Sequence, residues 1–188
     1  IRFSKEELAQ KQKVWHVLCK HYFQRFVSKE ARVLDLASGH CEFLNNIECA
    51  EKYAVDIDSE SLKWAKSDVN VALQSCTDLS NFPDNFFDFV FASNIFEHLR
   101  SKDQLEDLLR QVRRILKPDG TLLVMEPNVR YCYKEYWDFL DHHVPLSDKS
   151  LVEALLKNGF EIIKSTSRFL PYTTKSQVPK SPIIVRIY

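Results

Sequence analysis

An alternation most limits what this chain can fold into. Short runs that are apolar on nearly every residue follow one another, with helix-type runs between them. A strand that is apolar throughout needs cover on both faces, and a parallel sheet between two layers of helices supplies it. The β-type runs are Val33 to Ala37, Tyr53 to Asp56, Val71 to Cys76, Phe87 to Ala92, Thr121 to Glu126 and Glu161 to Ser165. Helical stretches are expected near Cys41 to Ile47, Ser59 to Lys66, Lys102 to Leu116 and Asp148 to Asn158. The third is the clearest, with Leu105, Leu108, Leu109, Val112, Ile115 and Leu116 spaced by three and four ahead of Pro118 and Gly120. A further helix precedes the sheet. Ser4 and Glu7 have the capping-box spacing, and Leu8, Trp15, Leu18, Tyr22 and Phe26 fall near one face.

The chain has 188 residues, 45% of them hydrophobic, which suits one domain with a substantial core. We divide it into an N-terminal helical cap (1–31), a cofactor-binding core (32–126), an aromatic-rich lid or acceptor region (127–147) and a C-terminal part of the sheet with its tail (148–188). In the tail, "SPIIVRIY" reads as a Ser-capped helix or as a closing strand. The helix reading would put the last strand beyond residue 188, and the start at Ile1 rather than Met points to sequence upstream.

Lys plus Arg and Asp plus Glu both number 26, so there is no cationic track for a polyanion and no nucleic-acid partner is expected. No apolar run is long enough to span a membrane and no signal peptide is visible, so a cytoplasmic protein is expected. Cys19, Cys41, Cys49, Cys76 and Cys132 are odd in number and lack metal-ligand spacing, which reads as reduced, mostly buried thiols.

In a doubly wound sheet the ligand lies beyond the carboxyl ends of the strands, near the point where strand order reverses. The residues ending strands are Asp35, Ala37, Ser38 and Gly39, then Asp56, then Asp78, then Ser93 and Asn94. Carboxylates gathered in one cleft repel one another unless a cationic or donor-rich ligand joins them. An acid 17 residues after the loop glycine suits ribose hydroxyls. The alternative is that single acids here cap helices. "LASGHCEF" lacks the G-x-G-x-x-G that a dinucleotide pyrophosphate requires, but a nucleoside without phosphate needs only a close backbone turn.

"VLDLASGHCEFL", "YAVDIDSESLKWAK", "CTDLSNFPDNFFDFVFASNIFEHL" and "LRQVRRILKPDGTLLVMEPN" together resemble the successive motifs of class I S-adenosylmethionine-dependent methyltransferases, of the small-molecule, type 11-like branch. The likeness runs from about Arg32 to Phe160. It implies a doubly wound, mostly parallel, seven-stranded-type Rossmann-like sheet, a small-molecule acceptor, and S-adenosylmethionine as cofactor, leaving S-adenosylhomocysteine. By position, Asp35 would lie beside the ligand's amino-acid portion, and Ala37, Ser38 and Gly39 would give backbone contacts to methionine and ribose. Asp56 would bind the ribose hydroxyls and Ile57 would pack on adenine. Asp78 and the Leu79 backbone would meet the adenine edge, and Ser93 and Asn94 the methionine and sulfonium. The family loop reads D-x-G-x-G-x-G, so Ala37 and Cys41 replace two glycines. They suit the loop if Ala37 keeps a negative φ and Cys41 already sits in a helix.

Methyl transfer from a sulfonium is an in-line displacement that needs a base only when the acceptor must lose a proton. His98 is the candidate base, or else a helix-start histidine bonded to backbone. Tyr131, Trp137, His142 and His143 are the candidate acceptor-pocket residues, with Tyr133 and Tyr136 nearby; the same aromatics could simply pack the lid. Glu97, His98 and one of Asp141, His142 or His143 could be assembled around a metal, but their spacing matches no ligand signature, so none is expected. The function read from the sequence is methyl transfer to a small molecule. The alternatives are a methyltransferase-like cofactor-binding protein without turnover and, less favoured, a nucleic-acid methyltransferase.

Overall fold

The computed structural model describes residues 5–169. Ser4 of the expected capping box and the tail from residue 170 on lie outside them. Five strands, β1 (Arg32–Leu36), β2 (Glu51–Asp56), β3 (Val69–Leu73), β4 (Phe87–Ser93) and β5 (Leu116–Met125), form one sheet in the order β3-β2-β1-β4-β5. Every pairing is parallel, and strand order reverses between β1 and β4. The doubly wound expectation holds, with fewer than seven strands among the described residues.

Two apolar layers cover the sheet. On one face Leu34, Leu36, Val55, Val90 and Ala92 pack against Leu105, Leu108, Leu109, Val112 and Ile115 of helix α3 (Lys102–Ile115). Ser101 caps α3, its side chain accepting the Gln104 N–H at 3.1 Å. On the other face Val33, Ala54, Phe89 and Phe91 pack against Val14, Leu18 and Cys19 of helix α1 (Lys5–His21) and against Phe23, Phe43 and Ile47. The buried stripe of α1 is therefore rotated from the one expected: Val14, Leu18 and Cys19 point inward, joined by Phe23 just past the helix, while Phe26 is exposed. Alternate residues of β1 and β4 feed opposite cores, so neither strand can slip register by one.

Several expected elements differ, among them β5, which begins at Leu116 instead of Thr121, and α2, which is shorter than the expected Ser59 to Lys66. Residues 41–46 form consecutive turns and not a helix, because the loop before them leaves the helical region at Cys41. β3 starts at Val69 instead of Val71, and its end is tied by the Gln74 N–H to the Asp56 carbonyl at 3.0 Å. Glu161 to Ser165 is irregular and makes no ladder with β5, so its β-type residues find no partner among the described residues. The connection after β5 holds a short helix, α4 (Val129–Tyr136), capped by Asn128 and kinked at Cys132, before α5 (Asp148–Lys157). Helix α2 is a single turn, Ser59–Leu62. All five cysteines are free, and Cys19, Cys41 and Cys76 are buried. No helix among the described residues is long and apolar enough to cross a membrane.

Candidate functional site

The loop after β1 is held in a sharp turn by left-handed residues. Ala37, Gly39 and Cys41 have φ of 53°, 50° and 54°. Both conditions placed on the loop are thus overturned: Ala37 does not keep a negative φ, and Cys41 is not in a helix. Closure explains why the strain is tolerated. The Ser38 N–H extends the ladder to the Val55 carbonyl at 3.0 Å, and the Cys41 N–H returns to the Ser38 carbonyl at 2.8 Å. Asp56 completes it, accepting the Gly39 N–H at 2.8 Å and the Asp58 N–H at 2.9 Å on separate oxygens. A Cβ built on Gly39 would meet nothing within 4 Å, so the loop's crest faces open space.

Beneath this crest acids collect. Asp35 is 3% exposed, and burial, then the charges of Glu42 and Asp56, hold its carboxyl well above the usual range. Glu42, 7% exposed, is reached by Lys11 of α1 at 2.8 Å. The expected cluster of Asp35, Asp56 and Asp78 is therefore Asp35, Glu42 and Asp56 instead. Asp78 is exposed and accepts the Ser80 N–H at 3.1 Å. Glu42 escaped notice because it ends no strand. Leu79 is fully buried with both backbone groups engaged: its N–H donates to Gln111 Oε1 at 2.8 Å and its carbonyl accepts from Arg114. The expected backbone contact from Leu79 to a ligand is therefore corrected, since Gln111 and Arg114 already engage its N–H and carbonyl. Ile57 is 76% exposed, a bare apolar side chain beside Asp56.

At the end of β4, Asn94 has φ 52° and hands the chain to a 3₁₀ turn, Phe96–His98. Its amide donates to Ser93 Oγ at 3.0 Å. Glu126, one residue past β5, caps this turn by accepting the N–H groups of Ile95 and Phe96 at 3.1 and 3.2 Å. The Glu97 carbonyl accepts the N–H groups of His143 and Val144 at 2.7 and 3.2 Å, which pins the segment after α4 over the turn. That pinning sorts the lid residues. His142 points inward at 9% exposed and Tyr136 is 2% exposed, whereas Tyr131, Trp137 and His143 lie on the surface. Of the four expected pocket residues only His142 faces this site, and Tyr136 is the buried aromatic. His98 Nδ1 lies 3.1 Å from the Asp141 carbonyl oxygen and 3.3 Å from Asp141 Oδ2, so the ring is oriented from the lid as well as from its own turn.

The polar interior here is incompletely paired. Glu97 Oε2, Glu126 Oε2, Tyr136 Oη and His142 Nδ1 are buried without a hydrogen-bond partner. Burial and then the Glu97 charge hold the Glu126 carboxyl well above the usual range; burial, followed by Glu97 and Glu126, pushes the Tyr136 hydroxyl up to about 12. Burial also lowers the His142 imidazole below its ordinary value, against the opposing charge of Glu97. Glu126 was missed, although the strand-end rule applied to the fifth strand reaches it. A groove of about 680 Å³ follows the free edge of β5 past Thr121, Leu123, Leu151 and Phe160 and reaches Glu126.

A parallel sheet with reversed order at β1/β4, an acid-lined turn after β1 and an acid at the end of β2 match the class I S-adenosylmethionine-dependent methyltransferase fold, and the likenesses to known proteins support that class. The methyltransferase domain family model matches residues 34–124. Over 135 residues the chain is 32% identical to the ubiquinone/menaquinone biosynthesis C-methyltransferase UbiE of Yersinia pestis bv. Antiqua, covering 63% of this chain and 53% of that protein. The UbiE of Azotobacter vinelandii is 32% identical over 139 residues, covering 65% and 54%. The chain thus spans about half the length of the curated relatives it matches. Among solved structures, a SAM dependent methyltransferase from Archaeoglobus fulgidus shares the fold, with a TM-score of 0.70 and 23% identity over 84% of this chain and 75% of that one.

Proposed function

We propose that this protein transfers the methyl group of S-adenosylmethionine to a small-molecule acceptor. The observation that carries the reading is the group Asp35, Glu42 and Asp56 under an open loop at the switch point. Buried like charges are costly alone, and a ligand bearing ammonium and sulfonium charge would offset them. Bound there, the cofactor supplies a methyl group already activated for displacement. The chain supplies alignment and a dry site.

Asp35 would face the cationic amino-acid portion, with the Ala37, Ser38 and Gly39 backbone alongside. Each Asp56 oxygen already accepts one N–H and retains a lone pair for a ribose hydroxyl. Ile57 would cover adenine, and Asp78 would meet its edge. Ser93 and Asn94, at the end of β4, would lie near the methionine and sulfonium. The acceptor would enter between the Phe96–His98 turn and the lid, against His142 and Tyr136. His98, oriented by Asp141, is the side chain the reacting atom would meet, as a base or through an ion it holds.

A small acceptor is supported by the zero net charge, which offers no track for a polyanion. The curated relatives carry the name of C-methyltransferases of quinone biosynthesis, which makes intermediates of that chemistry the first acceptors to try. Calorimetry with S-adenosylmethionine and S-adenosylhomocysteine tests the cofactor, and release of S-adenosylhomocysteine with an acceptor panel tests turnover. Binding of neither ligand would overturn the reading. Binding without turnover on any acceptor would favour a cofactor-binding protein, for which the strained Ala37 and Cys41 positions are the supporting observation.

A further inference from the structure

We infer that Glu97, His98 and His142 form a site for one divalent transition-metal ion of the Zn2+ type, roofed by the lid. A carboxylate oxygen of Glu97 and one ring nitrogen from each histidine lie within 4.8 Å of one another. Ligands sharing a Zn2+ ion at bonds of about 2.0–2.1 Å stand roughly 3–4 Å apart, so small side-chain rotations close the rest.

The second observation is independent of that spacing. Among the described residues, the buried side-chain atoms without a partner are Arg32 Nε and four atoms of this one group, Glu97 Oε2, Glu126 Oε2, Tyr136 Oη and His142 Nδ1. Glu97 is 3% exposed and His142 9%. Buried polar groups are otherwise nearly always satisfied, and a nest of unmet polar atoms that includes oxygens of two adjoining carboxyl groups is what a cation completes. Glu97 and Glu126 place two carboxyl groups side by side in the interior, an arrangement that a divalent charge makes favourable.

The surroundings also fit. Asp141 holds His98 through Nδ1, which leaves Nε2 as the free donor and gives the carboxylate–histidine–metal relay found behind metal ligands. Glu126 fixes the 3₁₀ turn that carries Glu97 and His98, and the two N–H bonds onto the Glu97 carbonyl bring His142 to them. Two imidazoles and one carboxylate suit Zn2+ and its neighbours, whereas Mg2+ and Ca2+ favour all-oxygen sets. Three protein ligands leave a position open, as in catalytic sites. The site lies past the end of β4, the strand beside β1. An acceptor oxygen bound there would sit at the switch point and lose its proton more readily. The site is defined by side chains alone, so it stands or falls separately from methyl transfer.

The test is metal binding to the whole chain after stripping with a chelator. Calorimetry with Zn2+ should give one equivalent per chain. His98→Ala and His142→Ala should each weaken it by about tenfold or more, and His143→Ala, the exposed neighbour, should not. Co2+ substitution in the unaltered protein should give the absorption bands of a low-coordinate nitrogen–oxygen site, a readout that needs no variant. Zn2+ should also raise the Tm of the unaltered protein and leave that of His142→Ala where it was. Failure to retain a stoichiometric ion would overturn the site, as would unchanged affinity in the histidine variants. Equal competition by Mg2+ would overturn the choice of metal.

Discussion

The Gly39 N–H reaches the Asp56 carboxylate at 2.8 Å, so the acid at the end of β2 is a structural member of the β1 loop before it is anything else. Its other oxygen holds the Asp58 N–H at 2.9 Å, which starts the turn of α2. One side chain therefore fixes both walls of the proposed cofactor site. Asp56→Ala removes two hydrogen bonds to a 9%-exposed carboxylate and leaves a left-handed loop untethered. We expect a stability loss of about 2–4 kcal/mol by urea unfolding and loss of S-adenosylmethionine binding by calorimetry. Asp56→Asn keeps one acceptor oxygen and should fall between. Unchanged stability in Asp56→Ala would show that the tether is dispensable.

Ala37 has an open test of strain. An L-residue at φ 53° costs roughly 1–2 kcal/mol, while a glycine there adds about 0.4–1 kcal/mol of unfolded-chain entropy. Ala37→Gly should therefore raise stability, by about 0.5–1 kcal/mol in chemical denaturation. Cys41→Gly has the same strain to relieve but empties a fully buried side chain from the core around Phe43. It should destabilise, so the two variants are expected to differ in sign.

These positions also mark how far the sequence could be read. β1, β2, β4 and α3 were legible because their residues are committed to two buried faces or to one helical stripe, and burial leaves a periodic trace. The loop's left-handed angles left none, since Ala and Cys advertise no φ. His142 and His143 are adjacent on an irregular segment, so no periodicity says which turns inward; the hydrogen bonds onto the Glu97 carbonyl decide it. The group Glu97, His98 and His142 was among the combinations read from the sequence but was set aside, because its members come from a turn after β4 and a lid some forty residues on and match no spacing signature. Glu126 was the avoidable miss, being an acid at a strand end like those that were noticed.

Asp35 makes stability fall as pH rises. Its carboxyl is held above the ordinary value, so the folded state favours the protonated form. The stabilisation is complete below the unfolded carboxylate value, about pH 4, and is lost as pH climbs through the raised folded value. Asp35→Asn should flatten this slope in urea unfolding across the acidic to neutral range. A residual slope in the same direction is expected from Glu126, which is raised too. A cationic ligand favours the ionised Asp35, so S-adenosylmethionine affinity should increase with pH over the same window.

Gln111 of α3 is a clamp on the loop after β3. It accepts the Leu79 N–H at 2.8 Å and donates to the Thr77 carbonyl at 2.7 Å, fixing the segment that carries Asp78. Gln111→Ala leaves a buried N–H unmet and should cost about 1–3 kcal/mol. Hydrogen exchange at Leu79 should accelerate before that of the β4 amides, and binding of S-adenosylmethionine should weaken with it. Uniform acceleration over the whole sheet would mean that the clamp acts on global stability and not on this loop.

Tyr136 separates a structural from a functional use of the lid. Its hydroxyl is buried without a partner, and the neighbouring Glu97 and Glu126 help burial push it up to about 12. A group that makes no hydrogen bond in the protein can be removed at little cost, so Tyr136→Phe should leave the stability of the ligand-free chain within about 0.5 kcal/mol of the parent, or raise it. If the hydroxyl is kept to meet the acceptor, or a water bound beside it, kcat/KM should fall by about tenfold in the same variant, with the cofactor affinity unmoved. A drop in stability with intact turnover would place Tyr136 among packing residues and move the acceptor to another wall of the lid.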